Sequence, residues 1–235
     1  MDFLDRIDDL SDAVQATSIL SLIGQGSERM AEIASRLSVP ATSLARPTKR
    51  LLELGLVFRD IPFGCDEKGN KRTLYRLSDP FLRFWYAFVL PHYSDPYFLS
   101  VPDEVAAMRP AFDIFLGQAW EMLVRETLLR KPLPGTAGRW RKVARWWGSG
   151  LNRAPLEVDV VAESADGRTL LVGEAKLSLS RREAEHAQAE LKVKAELLPF
   201  RTDYDRVVTR LFVAKGGSPE FVTLEWVGSS AERAG

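Results

Sequence analysis

Apolar residues at Met30, Ile33, Ala34 and Leu37 recur at the three- and four-residue steps of a helix, after an earlier apolar run over 14–23 that stops at Gly24 and Gly26. Val39-Pro40 breaks the second run. Thr42 or Ser43 can cap a third helix reaching Leu54, where Gly55 supplies a left-handed stop. Pro47 lies inside that helix, where it should remove a backbone hydrogen bond and interrupt the rod. Two β-prone runs follow, 56–61 and 72–77, with Gly64, Gly69 and Asn70 between them. Three short helices and a hairpin make a winged helix-turn-helix, expected over residues 1–78.

The next segment, 79–110, reads as a connection. Its aromatic positions Phe81, Phe84, Trp85, Tyr86 and Phe88 surround a helix almost completely, as in a buried rod. From 112 to 129 a second helix is expected, with a stripe of Phe112, Phe115, Leu116, Ala119, Met122, Leu123 and Glu126, and Glu121 beside the centre of that stripe. Strand-like runs then appear at 156–162, 169–176, 207–214 and 221–227, with a helix over 181–198 between the second and third. This order implies an α/β (α+β) chain, in which a mixed β-sheet flanked by helices occupies 111–235.

Composition changes this picture little: 46% hydrophobic and 27% charged residues suit an ordinary folded protein. The longest apolar stretch, 80–90, is too short to span a bilayer and contains Arg83, so no membrane segment is expected. The acidic N-terminus lacks the pattern of a targeting peptide, and one cysteine, Cys65, excludes an intrachain disulfide framework; a cytoplasmic setting is the expectation. With two histidines far apart, a Cys/His zinc site is not indicated either.

Basic and acidic residues, 32 of each, cancel, so any nucleic-acid surface must be local. One local concentration is clear. Between Pro132 and Leu156 there is no acidic residue, while Arg139, Arg141, Lys142, Arg145 and Arg153 alternate with Trp140, Trp146 and Trp147. Such a segment suits a phosphate backbone, with the indoles either stacked on bases or packed beneath the charges. In the third helix Ser43, Arg46, Thr48, Lys49 and Arg50 could face a major groove, with Arg59, Lys68, Lys71 and Arg72 of the hairpin on phosphates. Winged helices also serve as protein-docking modules, and both uses stay open.

The sharpest chemistry lies on the hairpin formed by 157–162 and 169–176. Asp166-Gly167 is a strong two-residue turn. With those residues at the tip, Asp159 stands opposite Glu174 and Glu157 opposite Lys176. Directly opposed residues share a face at Cβ separations of about 4.5–5.5 Å, and like charges there repel. A hard divalent cation, Mg²⁺ or Mn²⁺, would relieve that repulsion through carboxylate, carbonyl and water oxygens. Otherwise this is the solvated end of a hairpin on which Lys176 pairs with Glu157.

Asp159 and Glu174-Ala175-Lys176, with Glu121 on the preceding helix, resemble the site of PD-(D/E)XK nucleases. More closely, Ser78-Asp79-Pro80-Phe81, Phe84-Trp85, Trp146-Trp147, Glu157-Val158-Asp159 and Gly173-Glu174-Ala175-Lys176 resemble the C-terminal part of archaeal-type AAA ATPases, where a winged helix precedes a nuclease-like domain of unknown function. The resemblance implies a metal held by Asp159, Glu174, the Ala175 carbonyl and Glu121, directly or through water. It gives Lys176 the attacking water or the phosphate charge, and leaves a further polar group to Gln188 or Lys192. Relatives begin with an ATPase, but no Gly-x-x-x-x-Gly-Lys-Ser/Thr loop is present, so the expectation is either a truncated or separately encoded part of such a protein or an ATPase domain or subunit acting in trans, with no ATP hydrolysis by this chain alone.

Three functions follow as expectations. The first is a Mg²⁺-dependent endodeoxyribonuclease acting on DNA, which as a homodimer could cut both strands. The second is a non-catalytic module that docks an ATPase on DNA. The third is a winged-helix transcription regulator.

Overall fold

The computed structural model describes residues 3–66, 70–92, 101–136, 138–215 and 221–228. The chain divides into two compact units: Met1–Asp60 with Gly69–Pro110, and Ile61–Lys68 with Ala111–Gly235. Residues 79–110, read from the sequence as a connection, thus fall within the first unit. Among the described residues no helix is long and apolar enough to cross a membrane.

In the first unit, helices α1 (Phe3–Gly24), α2 (Met30–Arg36) and α3 (Ala45–Glu53) precede an antiparallel hairpin of β1 (Val57–Asp60) and β2 (Leu74–Leu77). Ile19, Ile33, Leu44, Leu51, Val57 and Leu77 form its core, so the winged helix-turn-helix arrangement holds. The helical periodicity is satisfied here because each element contributes one apolar stripe to the same centre. Gly55, at φ +68, ends α3, with its N–H on the Leu52 carbonyl and the Leu56 N–H on the Leu51 carbonyl, both 3.0 Å.

The start of α3 departs from expectation. Neither Thr42 nor Ser43 caps it: a 3-10 turn, Ala41–Leu44, runs directly into the helix, and the Ser43 hydroxyl donates to the Pro40 carbonyl at 2.7 Å. Pro47 therefore sits in the first turn of α3, where its missing N–H has no intrahelical partner to lose. The expected interruption does not arise, and the Pro47 ring is buried with Thr48 and Leu51.

Asp79 caps α4 (Pro80–Phe84), accepting from the N–H groups of Phe81 at 2.7 Å and Leu82 at 3.1 Å. A π-helical turn, Trp85–Val89, follows. The expected buried rod is corrected here: Phe88 is buried, but Phe81 is 64% exposed and the residues between are half-buried. A short rod with aromatics all round can bury one side only; that side meets α1 closely enough that a Cβ on Gly24 would lie 2.2 Å from Tyr86 Cβ.

The second unit is built on a five-stranded sheet in the order β3 (Trp140–Ser149), β4 (Pro155–Ser164), β5 (Thr169–Ser178), β6 (Arg206–Lys215), β7 (Val222–Thr223). The first two pairings are antiparallel and the last two parallel. Helix α6 (Arg181–Glu196) makes the crossover that parallel β5 and β6 require. Its Leu191 and Ala195 pack on one face of the sheet with Val158, Val172 and Val213. On the other face Trp120, Val124 and Leu128 of α5 (Val101–Arg130) cover Val160, Leu171 and Phe212. The strand expected at 221–227 is two residues long and turns into α7 (Leu224–Gly228), whereas β3 occupies the basic-aromatic segment, for which no strand was expected.

Helix α5 is also rotated from its expected orientation. Phe112, Leu116 and Leu123 are partly exposed, and the buried stripe is Trp120, Val124, Thr127 and Leu128. The Trp120 indole explains the choice, because its N–H donates to the Phe212 carbonyl at 3.0 Å, locking the helix with its largest side chain inward.

Candidate functional site

The hairpin register is the one the turn implies: Val160 lies opposite Gly173, Val161 opposite Val172 and Ala162 opposite Leu171. Gly167, at φ +74, forms the tip. The ladder to β3 slips by one residue between Ala144↔Val161 and Trp146↔Val158, so that Asp159 and Val160 together face Arg145 alone. This bulge redirects the Asp159 side chain, as bulges beside functional sites do. Asp159 Oδ2 accepts the Ala175 N–H at 2.9 Å.

Lys176 Nζ lies 2.9 Å from Glu174 Oε1 and 4.0 Å from Asp159 Oδ2. Asp159, Glu174 and Lys176 are thus brought together. Glu157 is not part of the group: it lies opposite Trp147 on β3 and pairs at 2.8 Å with Arg145 instead of Lys176. The carboxylate that replaces it is Glu121, whose charge acts on both Asp159 and Lys176. Glu121 is carried beside the buried stripe of α5 and lies 3.5 Å from Arg125 Nη1, which also donates to the Asp159 carbonyl at 2.7 Å.

The polar group from α6 is neither of the two expected. Gln188 donates to Thr209 Oγ1 at 2.8 Å, and Lys192 is exposed. Lys194 reaches the site, with Nζ 2.9 Å from Glu174 Oε2. Arg125 and Lys194 were missed in the sequence; the four-residue step from Glu121 to Arg125 was a readable signal for the first. No local signal separates Lys194 from Lys192.

Burial, then Glu174 and Glu121, push Asp159 up to about 7, against the Ala175 N–H and Lys176, which favour its charge. Burial works against the Lys176 charge too, but Glu174, Asp159 and Glu121 outweigh it and hold its ammonium above the usual value. Asp159, Glu174 and the Ala175 carbonyl are all-oxygen donors, the chemistry of a hard cation completed by water and substrate phosphate. Among the described residues no three His, Cys, Asp or Glu side chains are grouped to hold a metal by themselves.

The basic segment is largely engaged. Arg141 pairs with Glu163, and Arg145 pairs with Glu157 and stands 4.7 Å from the Trp147 ring centroid. Trp140 and Trp146 are core residues, not stacking platforms. Arg139 and Lys142 are exposed. In the first unit Arg46, Lys49 and Arg50 are exposed on α3, Lys49 with Glu53 at 3.6 Å. Ser43, Arg59 and Lys71 are exposed and Arg72 is half-buried, while Lys68 lies outside the described residues.

Comparison with curated proteins and with solved structures finds no match. Residues 85–187, which carry Glu121, Arg125, Asp159 and Glu174-Ala175-Lys176 but neither Lys194 nor α1 to α3, match the model of DUF234, the family described as archaea bacterial proteins of unknown function.

Proposed function

We propose that the second unit is a metal-dependent nuclease module of the PD-(D/E)XK kind, acting on DNA. The observation that carries this reading is the Lys176 ammonium beside two carboxylates from adjacent strands, 2.9 Å from Glu174 and 4.0 Å from Asp159. The elevated proton affinity of Asp159 adds support, since it marks a cluster in which a further positive charge would be stabilising.

Asp159, Glu174 and the Ala175 carbonyl would hold Mg²⁺ or Mn²⁺, with Glu121 acting directly or through water. The cation would supply a water of lowered pKa and charge neutralisation at the phosphodiester. Lys176 then orients that water or takes phosphate charge. Arg125 holds the Asp159 main chain, and Arg139 and Lys142 offer exposed charges to the backbone of the nucleic acid. The exposed Arg46, Lys49 and Arg50 of α3 make the winged helix a second DNA contact. By resemblance, the chain works beside an ATPase, and two copies would cut both strands; a cytoplasmic setting fits its single cysteine.

A second reading is favoured by one observation: Glu174 lies between two lysines, Lys176 and Lys194, so its charge is already compensated. In this reading the cluster is a structural ion network and the protein a recognition module. Cleavage of supercoiled and linear DNA with Mg²⁺ or Mn²⁺ decides between them. Activity present in the wild type and lost in a folded Lys176→Ala variant supports the nuclease; salt-sensitive DNA binding without cleavage supports the recognition module.

A further inference from the structure

Each carboxylate oxygen of Glu174 carries its own ammonium. Lys176 lies on Oε1 and Lys194 on Oε2, both at 2.9 Å. The two lysines are positioned differently. Lys176 belongs to the same strand as Glu174, whereas Lys194 arrives from the last turn of α6, where the helix dipole favours a cation. That turn is held rigidly. Leu191 and Ala195 are buried against the sheet, and a reciprocal Ser180–Glu183 capping box fixes the other end of the helix. Lys194 is therefore aimed at Glu174 by a packed element. Its side chain keeps 32% exposure, while that of Glu174 keeps 12%.

With Lys194 in place, the acidic groups Asp159, Glu174 and Glu121 are matched by Lys176, Lys194 and Arg125. A divalent cation approaching this balanced cluster meets a Glu174 whose second oxygen is already hydrogen-bonded. We propose that Lys194 is a latch: it holds Glu174 Oε2 in the resting protein, gives that oxygen up to an incoming divalent cation, and passes its ammonium to a phosphate oxygen of the nucleic acid. Lysine suits the exchange, being a compact charge on a flexible four-carbon stem that can swing between partners. The inference rests on the proposed function, since it presumes the same metal-binding carboxylates.

The test is a calorimetric titration of Mn²⁺ alone into the full chain, as wild type, Lys194→Met and Lys192→Met. Methionine keeps most of the lysine stem and removes the charge; Lys192 is the exposed control on the same helix. Lys194→Gln, which keeps hydrogen-bonding capacity, serves where the methionine variant does not fold. The latch predicts Mn²⁺ binding tightened roughly tenfold in the Lys194 variant and unchanged in the Lys192 variant. It also predicts weaker binding of a DNA duplex by the Lys194 variant at saturating Ca²⁺. Wild type and Lys194 variant binding Mn²⁺ equally, or the variant more weakly, would overturn the latch and leave the metal site standing. The same gain in the Lys192 variant would also overturn it, as a general field effect. No Mn²⁺ binding in any of the proteins would remove the metal reading and the latch with it.

Discussion

Arg125 Nη1 donates to the main-chain carbonyl of Asp159 at 2.7 Å, tying helix α5 to the bulged strand residue at the centre of the acidic cluster. The same nitrogen is 3.5 Å from Glu121, so one guanidinium contacts both the helix carboxylate and the main chain of the strand residue Asp159. Arg125→Met should cost about 1.5–3 kcal/mol, the range for a hydrogen bond to a charged group. It should also reduce the proposed cleavage, while Arg125→Lys restores part of the stability. Urea unfolding of the two variants checks this; an unchanged midpoint in Arg125→Met would show that the contact carries no stability.

Asp159 makes stability depend on pH in an unusual direction for a carboxylate. Its folded pKa, about 7, lies above the ordinary 3.8, so the folded state binds the extra proton. Stability is fully present below the ordinary value and is lost as pH rises through about 7. Asp159→Asn, which keeps an oxygen for the Ala175 N–H, should therefore be more stable than wild type at pH 8 in EDTA, by at most on the order of 4 kcal/mol. The difference should shrink toward zero near pH 4. Denaturant unfolding at both pH values measures it. An asparagine variant less stable than wild type at pH 8 would contradict the burial penalty on the Asp159 charge.

How much of this was readable in the sequence varies with the range of the interaction. The register of β4 against β5, from Val160 opposite Gly173 to Glu163 opposite Leu170, was legible because Asp166-Gly167 fixes the turn. The bulge at Asp159 was not, because it depends on how β4 pairs with β3, a strand concealed by its mixture of arginine and tryptophan. The rotation of α5 was ambiguous for a different reason: apolar residues lie on several sides of that helix, and a hydrogen bond to the distant Phe212 selects one of them. Lys194 was hidden by the same kind of distance. Its partner lies across a crossover, and the local pattern serves Lys192 equally well.

Gly173, immediately before Glu174, is a glycine for reasons of space. A Cβ there would lie 2.6 Å from Phe212 Cε2 and 3.1 Å from Val160 Cβ, between two buried side chains. Gly173→Ala should destabilise by about 1–3 kcal/mol, the usual cost of overpacking, and displace the start of the Glu174-Ala175-Lys176 run. Phe212→Leu leaves a small void by itself, and that void should absorb part of the alanine methyl. A double-mutant cycle by thermal unfolding should therefore show the pair to be less damaging than the sum of the singles. Strict additivity would mean that the sheet, not the Phe212 ring, takes up the strain.

The basic segment divides into arginines that hold the fold and charges available to a ligand. Glu163 is buried, its carboxylate held by Arg141 and by the Tyr204 hydroxyl at 2.8 Å. Burial alone would raise its pKa, but the hydrogen bonds from Tyr204 and Arg141 and the charges of Lys142 and Arg141 leave it lowered from 4.5. Its contribution to stability is thus present above 4.5 and is lost as pH falls below that through the folded value. Arg141→Glu should lower stability by about 2 kcal/mol or more at pH 7, because Glu163 loses a partner and gains a like charge. Arg139→Glu with Lys142→Glu should cost less than Arg141→Glu, because Arg139 is exposed and Lys142 adds only its charge at Glu163, where Arg141 adds a hydrogen bond as well. Under the proposed function, that double variant instead weakens DNA binding and flattens its salt dependence. Measuring unfolding and DNA affinity for both variants separates the roles. A double variant that binds DNA like the wild type, with the same salt slope, would remove this segment from the proposed nucleic-acid surface, whatever the outcome at Arg141.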